Sequence, residues 1–123
     1  MLNKVILMGR LVREPELRHT QEGVPVVSFA LAVDRGFRRD EQNADFINIV
    51  AWRGTAEFVS KWLSKGQLVA VSGRLQVRTY KDRDGNNKDT VEVVVDEVFF
   101  GEGKRGGEIS YPIVMGDSST SSE

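Results

Sequence analysis

Cysteine is absent from the 123-residue chain, histidine occurs once, and proline occurs three times. Without cysteine there is neither a disulfide framework nor a zinc site built on thiolates, which fits a reducing compartment. No apolar run approaches the ~20 residues needed to span a bilayer, so a membrane role is not expected. The opening MLNKVILMGRLV has an apolar core too short for a signal peptide and is followed by Gly-Arg rather than a small-residue cleavage site. The chain reads as mature protein inside a cell, in the cytoplasm. A strong charge of either sign is also missing. The net charge is -1, with 15 basic and 14 acidic residues up to residue 100 and 2 against 4 beyond it. Any anion-binding role must come from a local patch. The means of catalysis are equally sparse. His19 lies in the charged segment REPELRHTQEG, with no cysteine partner and no nucleophile-elbow serine. The glycines form neither GxGxxG nor a P-loop, and Asp34 and Asp40 fall in charged loops. No metal-ligand cluster is visible. The expectation is a non-catalytic protein with no cofactor and no metal.

What is present is the length of one ordinary domain, enough to bury a core unaided. Residues 1–100 read as that domain and 101–123 as a tail, with GEGKRGG and SSTSSE of linker composition. Within the tail, YPIVM (Tyr111 to Met115) is too apolar for plain linker and either docks or stays partly ordered. Period two dominates the domain. Lys4 to Val12 is strand-like, with Gly9 suited to a bulge or bend. Val24 to Val33 alternates, with Val27, Phe29, Leu31 and Val33 on one face. Asp45 to Trp52, Leu68 to Val77 and Thr90 to Phe99 make three more strands, the last with Val91, Val93 and Val95 facing one way. Lys81 to Asp89, with Asp84-Gly85 at its middle, reads as the tip of a long hairpin. One helix interrupts the strands, N-capped by Thr55, favoured by Glu57, carrying Phe58, Val59, Trp62 and Leu63 at helical spacing, and closed by Lys65-Gly66. The chain is therefore all-β, and five strands with one short helix between the third and fourth is the plan of the OB-fold, a Greek-key barrel. Other small barrels share much of this pattern.

The aromatics carry the functional signal. In DFINIVAW, Ile47, Ile49 and Ala51 share one face, and Phe46, Asn48, Val50 and Trp52 the other. A barrel buries its inner face, so the mixed face belongs outside. There Phe46 and Trp52 stand roughly 20 Å apart at ~3.3 Å per residue, far enough to serve separate bases. In LVAVSGRLQVRTY the same parity turns Val69, Val71, Leu75 and Val77 inward and leaves Arg74, Gln76, Arg78 and Tyr80 in an outer row. Phe37 lies in a loop with Arg35, Arg38 and Arg39. Aromatics interleaved with arginine suit single-stranded nucleic acid, since bases stack on rings while guanidinium groups track phosphates. Stacking is worth ~1 to 3 kcal/mol per base, so four platforms can dominate affinity at low net charge. The alternative uses are structural: Phe46 plugging a barrel end, or Trp52 in an oligomer interface, as in a protein-binding OB module. RNA is a third option, because stacking alone does not exclude a 2′-hydroxyl. Trp62, Phe29, Phe58, Phe99 and Phe100 are assigned to packing.

NKVILMGRL, then EPELR, a glycine before VVSFALAV, DFINIVAWRGTAEFV, LSKGQLVAVSGRL and an aromatic-bearing hairpin followed by TVEVVV occur in order from Asn3 to about Phe100. In that order and spacing the chain resembles the bacterial single-stranded DNA-binding protein family. The resemblance implies an OB-fold that forms a homotetramer and wraps single-stranded DNA without sequence preference in replication, recombination and repair, associated with the bacterial nucleoid. The family's stacking aromatics fall on Phe37, Phe46, Trp52 and Tyr80. Members often carry tryptophan at the first, second and fourth of these, so the smaller rings here imply weaker stacking per base. A strand-tracking lysine of some members matches Gly54, with Arg53 beside it placed to supply the charge. Arg38, Arg39, Arg53, Arg74 and Arg78, with Lys4 and Arg10 on the first strand, are the expected phosphate contacts. Members that recruit other enzymes do so through an acidic tail ending in Pro-Phe. This chain ends GDSSTSSE, and the recruiting function is not carried over.

Overall fold

The computed structural model describes residues 1–36 and 44–101. Its elements, in chain order, are β1 (Val5–Leu11), β2 (Glu16–His19), β3 (Pro25–Asp34), β4 (Ala44–Trp52), α1 (Arg53–Trp62), β5 (Leu68–Lys81) and β6 (Asn87–Phe100). The sheet order is β1-β5-β6-β4-β3-β2, and an additional β1–β3 pairing closes it into a ring. All neighbours are antiparallel except β4 and β6. The result is the expected OB-fold plan with one strand more. Glu16–His19 pairs with the first residues of β3, Glu16 lying opposite Ser28 and Leu17 opposite Val27, although the segment reads as a charged loop. A four-residue edge strand with one apolar side chain has no alternation to detect, and all four residues are exposed.

Closure depends on β1 turning from β5 onto β3. Arg10 is in register with both Leu68 and Ala32. The Leu11 N–H donates to the Gln67 carbonyl at 3.1 Å, its carbonyl accepts from the Gly66 N–H at 2.8 Å, and the Val12 N–H donates to the Ala30 carbonyl at 3.0 Å. Gly9 makes the turn possible, because a Cβ there would collide with the carbonyl of Ala32.

Inside the ring, Val27, Phe29, Leu31, Ile49, Ala51, Val69, Val71, Val93, Val95 and Val98 form the core. Burying each of the larger side chains is worth about 1.5 to 3 kcal/mol. Val91, Val93 and Val95 do share a face, but the pattern then shifts. Gly73 pairs with Val95 and Ser72 with Glu97, so Asp96 is the extra residue of a bulge. Beyond it the inward positions become Val98 and Phe100. Gly73 sits where a Cβ would strike the Val94 backbone, so the bulge needs glycine there.

Helix α1 closes one end of the ring, with Ala56, Phe58, Val59 and Leu63 in the core. Phe58 meets Phe100 with ring centroids 5.7 Å apart. The expected cap is not used: the helix starts at Arg53, before Thr55, with Trp52 at the N-cap, no side-chain cap bond and no acidic residue in the first turn. It ends at Trp62, before Lys65-Gly66. Trp62 itself is 54 % exposed, contrary to its assignment to packing. Trp62 lies one turn on from the buried Phe58 but is the last residue of the helix, next to Lys61, whose Nζ lies 5.8 Å from the indole ring centroid.

The β5–β6 hairpin outruns the barrel. β1 pairs with β5 only up to Gly73, and β4 with β6 only from Glu92 to Val94. Leu75, Val77 and Val91 therefore continue the inner face with little packed against them and are exposed. The tip is tighter than expected, from Asp82 to Asn86. There the Asp82 carboxylate accepts from the N–H groups of Asp84 and Asn86 at 2.9 Å each. Gly73→Ala should cost about 1 to 3 kcal/mol in urea unfolding through overpacking. Gly54→Ala, where a Cβ meets nothing within 4 Å on an exposed part of α1, should be neutral or stabilising by about 0.5 to 1 kcal/mol.

Candidate nucleic-acid interface

The outer face of β3, β4, β6 and β5 is ordered by register into rows. Ala32 pairs with Phe46, Ala30 with Asn48, Ser28 with Val50 and Val26 with Trp52. Asn48 continues to Glu92 and Val50 to Val94 on β6. Gln76, Arg74 and Arg78 on β5 lie opposite Glu92, Val94 and Thr90, and Tyr80 opposite Lys88. The β3 edge is thus small and flat, while the large side chains stand on β4 and β5. Phe46 is 69 % exposed, Trp52 40 % and Tyr80 45 %. Between them, Val50, Val94 and Ala30 are buried despite facing outward. Outward parity does not ensure exposure for short side chains pleated among longer neighbours. The face is a low apolar and amide floor with aromatic rings rising from it, a form that admits flat, stackable bases.

The cations differ in what they already hold. Arg74 is exposed on the row of Val50 and Val94. Arg78 donates from Nε to Glu92 Oε2 at 3.4 Å and lies 5.8 Å from the Tyr80 ring centroid. Arg10 shares the row of Ala32 and Phe46, and its Nη1 donates to the Gly66 carbonyl at 3.0 Å. Lys4 precedes β1. It is exposed next to Asn3, whose amide both accepts from the Leu75 N–H at 2.8 Å and donates to the Leu75 carbonyl at 2.9 Å. Phe37, Arg38 and Arg39 lie outside the described residues. At the base of their loop, Arg35 Nη2 pairs with Asp45 Oδ1 at 2.8 Å. The hydrogen bond and then the charge of Asp45 hold the Arg35 guanidinium above its ordinary pKa.

Two features lie beyond the residue pattern. Glu92 is the buried carboxylate of the face, and its signal in the sequence is a lone charge inside TVEVVV. Its partner across the sheet depends on register. The other is Arg53, with φ of +58°, the only non-glycine residue with positive φ among the described residues. The left-handed region costs a residue with a Cβ about 1 to 2 kcal/mol. Here it turns the chain sharply from β4 into α1, keeping Trp52 at the end of the outer face and Arg53 exposed beside it.

The model of the single-strand binding protein family matches residues 2–100. The chain belongs to that family. Its similar relatives include the single-stranded DNA-binding protein of Staphylococcus aureus strain MRSA252, 51 % identical over 110 residues that cover 88 % of this chain and 70 % of that protein. A protein of the same name from Bacillus cereus is 49 % identical over 109 residues, covering 87 % of this chain and 64 % of the relative. Single-stranded DNA-binding protein 3 of Listeria innocua is 48 % identical over 109 residues, covering 87 % and 68 %. Members of the family are non-enzymatic DNA-binding proteins with an OB-fold, in keeping with the all-β ring found here. The matched region contains every described residue of the outer face.

Arg53→Gly tests whether the turn is set by backbone strain. Thermal unfolding should show a midpoint unchanged or raised by a few degrees, and a marked loss would mean that the side chain supports the fold.

Proposed function

We propose that the chain binds single-stranded DNA without sequence preference and without catalysis, protecting it in replication, recombination and repair. The observation that carries this reading is the row of exposed rings, Phe46 and Trp52 on β4 with Tyr80 on β5, around a floor too shallow to bury them. Membership of the family and the names of the relatives support it. In this reading Phe46, Trp52 and Tyr80, with Phe37 from the loop, stack bases. Arg53 and Arg74 track phosphates, joined by Lys4, Arg10, Arg38 and Arg39. Stacking and charge need no cofactor. Residues 1–100 carry the activity. The place of work in this reading is the bacterial cytoplasm, at the nucleoid.

The binding unit is a homo-oligomer, a homotetramer in this reading. Two surfaces support association. Among the described residues β1 pairs from Val5 to Gly9 with β5 alone, which leaves its other edge for another strand, with Ile6 and Met8 exposed beside it. Leu75, Val77 and Val91 form a second exposed apolar patch on the hairpin. Exposed apolar patches of this kind mark interaction surfaces.

Titration with oligo(dT) should quench tryptophan fluorescence. Trp52→Phe should remove most of the quench and Trp62→Phe little of it, since Trp62 sits on α1 away from the sheet face. No quench with a long oligonucleotide at low salt would overturn the reading. Light scattering should give the mass of four 13.8 kDa chains, and Ile6→Glu with Met8→Glu should lower it.

A further inference from the structure

A buried carboxylate lies within a face proposed to bind a polyanion. Glu92 is 5 % exposed and stands in the row of Asn48 and Gln76 at the centre of that face. A buried carboxylate is tolerated when a cation pairs with it. Arg78 fills that role through Nε at 3.4 Å. The same guanidinium lies 5.8 Å from the centroid of the Tyr80 ring, two residues along β5. Arg78 is thus held from two sides, by a carboxylate at the floor and by an aromatic ring. A guanidinium in that position backs one face of the ring and leaves the other for a base. It is also neutralised locally, so it adds little to the counterions displaced when phosphates bind.

We propose that Glu92 is a positioning residue of the single-stranded DNA site: it holds Arg78 against Tyr80, making Arg78 part of a stacking platform rather than a phosphate contact. The proposal rests on the single-stranded DNA reading and narrows it. The charge that the face presents to the backbone is set by Glu92 as much as by the arginines. Arginine is required over lysine, because a point charge can pair with the carboxylate but cannot lay a planar group along the ring.

The test is oligo(dT) binding across a salt series, read by quenching of Trp52, for the wild type, Arg78→Gln, Arg78→Lys, Glu92→Gln and the Arg78→Gln/Glu92→Gln double variant. Each phosphate contact on a single strand contributes ~0.7 to the slope of log affinity against log salt. Arg78→Gln and Arg78→Lys should weaken binding at every salt concentration while keeping the wild-type slope. Glu92→Gln should steepen the slope by ~0.7, as the released guanidinium reaches a phosphate, and the double variant should restore it. A slope flattened by ~0.7 in Arg78→Gln would make Arg78 an ordinary phosphate contact and overturn the proposal. An unchanged slope in a folded Glu92→Gln would do the same. If Glu92→Gln does not fold, the Arg78→Gln slope alone decides. A wild type that binds no oligo(dT) overturns the function itself, whereas wild-type binding with a flattened Arg78→Gln slope overturns the role of Glu92 alone.

Discussion

Closure of the sheet through β1 is the constraint on which the rest depends. A strand of seven residues must pair with β5 along most of its length and still reach β3 at its end. Gly9 allows the close approach, and the backbone bonds around Leu11 secure it. Once the ring is closed, each strand has an inside and an outside, and α1 has an end to cover. Without closure β1 and β2 would be the two edges of an open sheet, and parity along the strands between them would not separate an inside from an outside.

That distinction produces the chemistry of the outer face. Inside, valines and isoleucines pack with Phe29 and the helix. Outside, the same strands carry small residues on β3, rings on β4, a carboxylate and Val94 on β6, and arginines on β5. Few of these side chains are unusual alone. Their function comes from rows that only pairing creates, such as Asn48, Glu92 and Gln76, or Ser28, Val50, Val94 and Arg74. The near-neutral charge of the chain is consistent with this arrangement, because stacking contributes affinity that does not depend on net charge.

Much of this was legible in the residues. Alternation in DFINIVAW assigned Phe46 and Trp52 outward and Ile49 and Ala51 inward, as found, and the Asp-Gly pair located the hairpin tip. The departures share a cause, which is that local spacing does not report what a neighbouring element covers. Trp62 has core spacing on α1, one turn beyond the buried Phe58, yet it is the last residue of the helix and stays exposed at its end. Leu75 and Val77 have inward parity on a hairpin longer than the strands beside it, so among the described residues little packs over them. The short β2 strand takes its conformation from its neighbour β3 and carries no period of its own.

The sequence by itself determined the strand parities, the apolar core, the position of the single helix and the family to which the chain belongs. These follow from local periodicity and from motif order, which a linear string contains in full. Tertiary structure alone decided that Asp96 bulges, that Arg53 adopts a left-handed turn, and that Glu92 holds Arg78 beside Tyr80. Register and sheet curvature bring together residues remote along the chain, and they arise from the simultaneous packing of all strands. The rings at Phe46 and Trp52 were visible as candidates in the string, but the floor beneath them exists only once the sheet has closed.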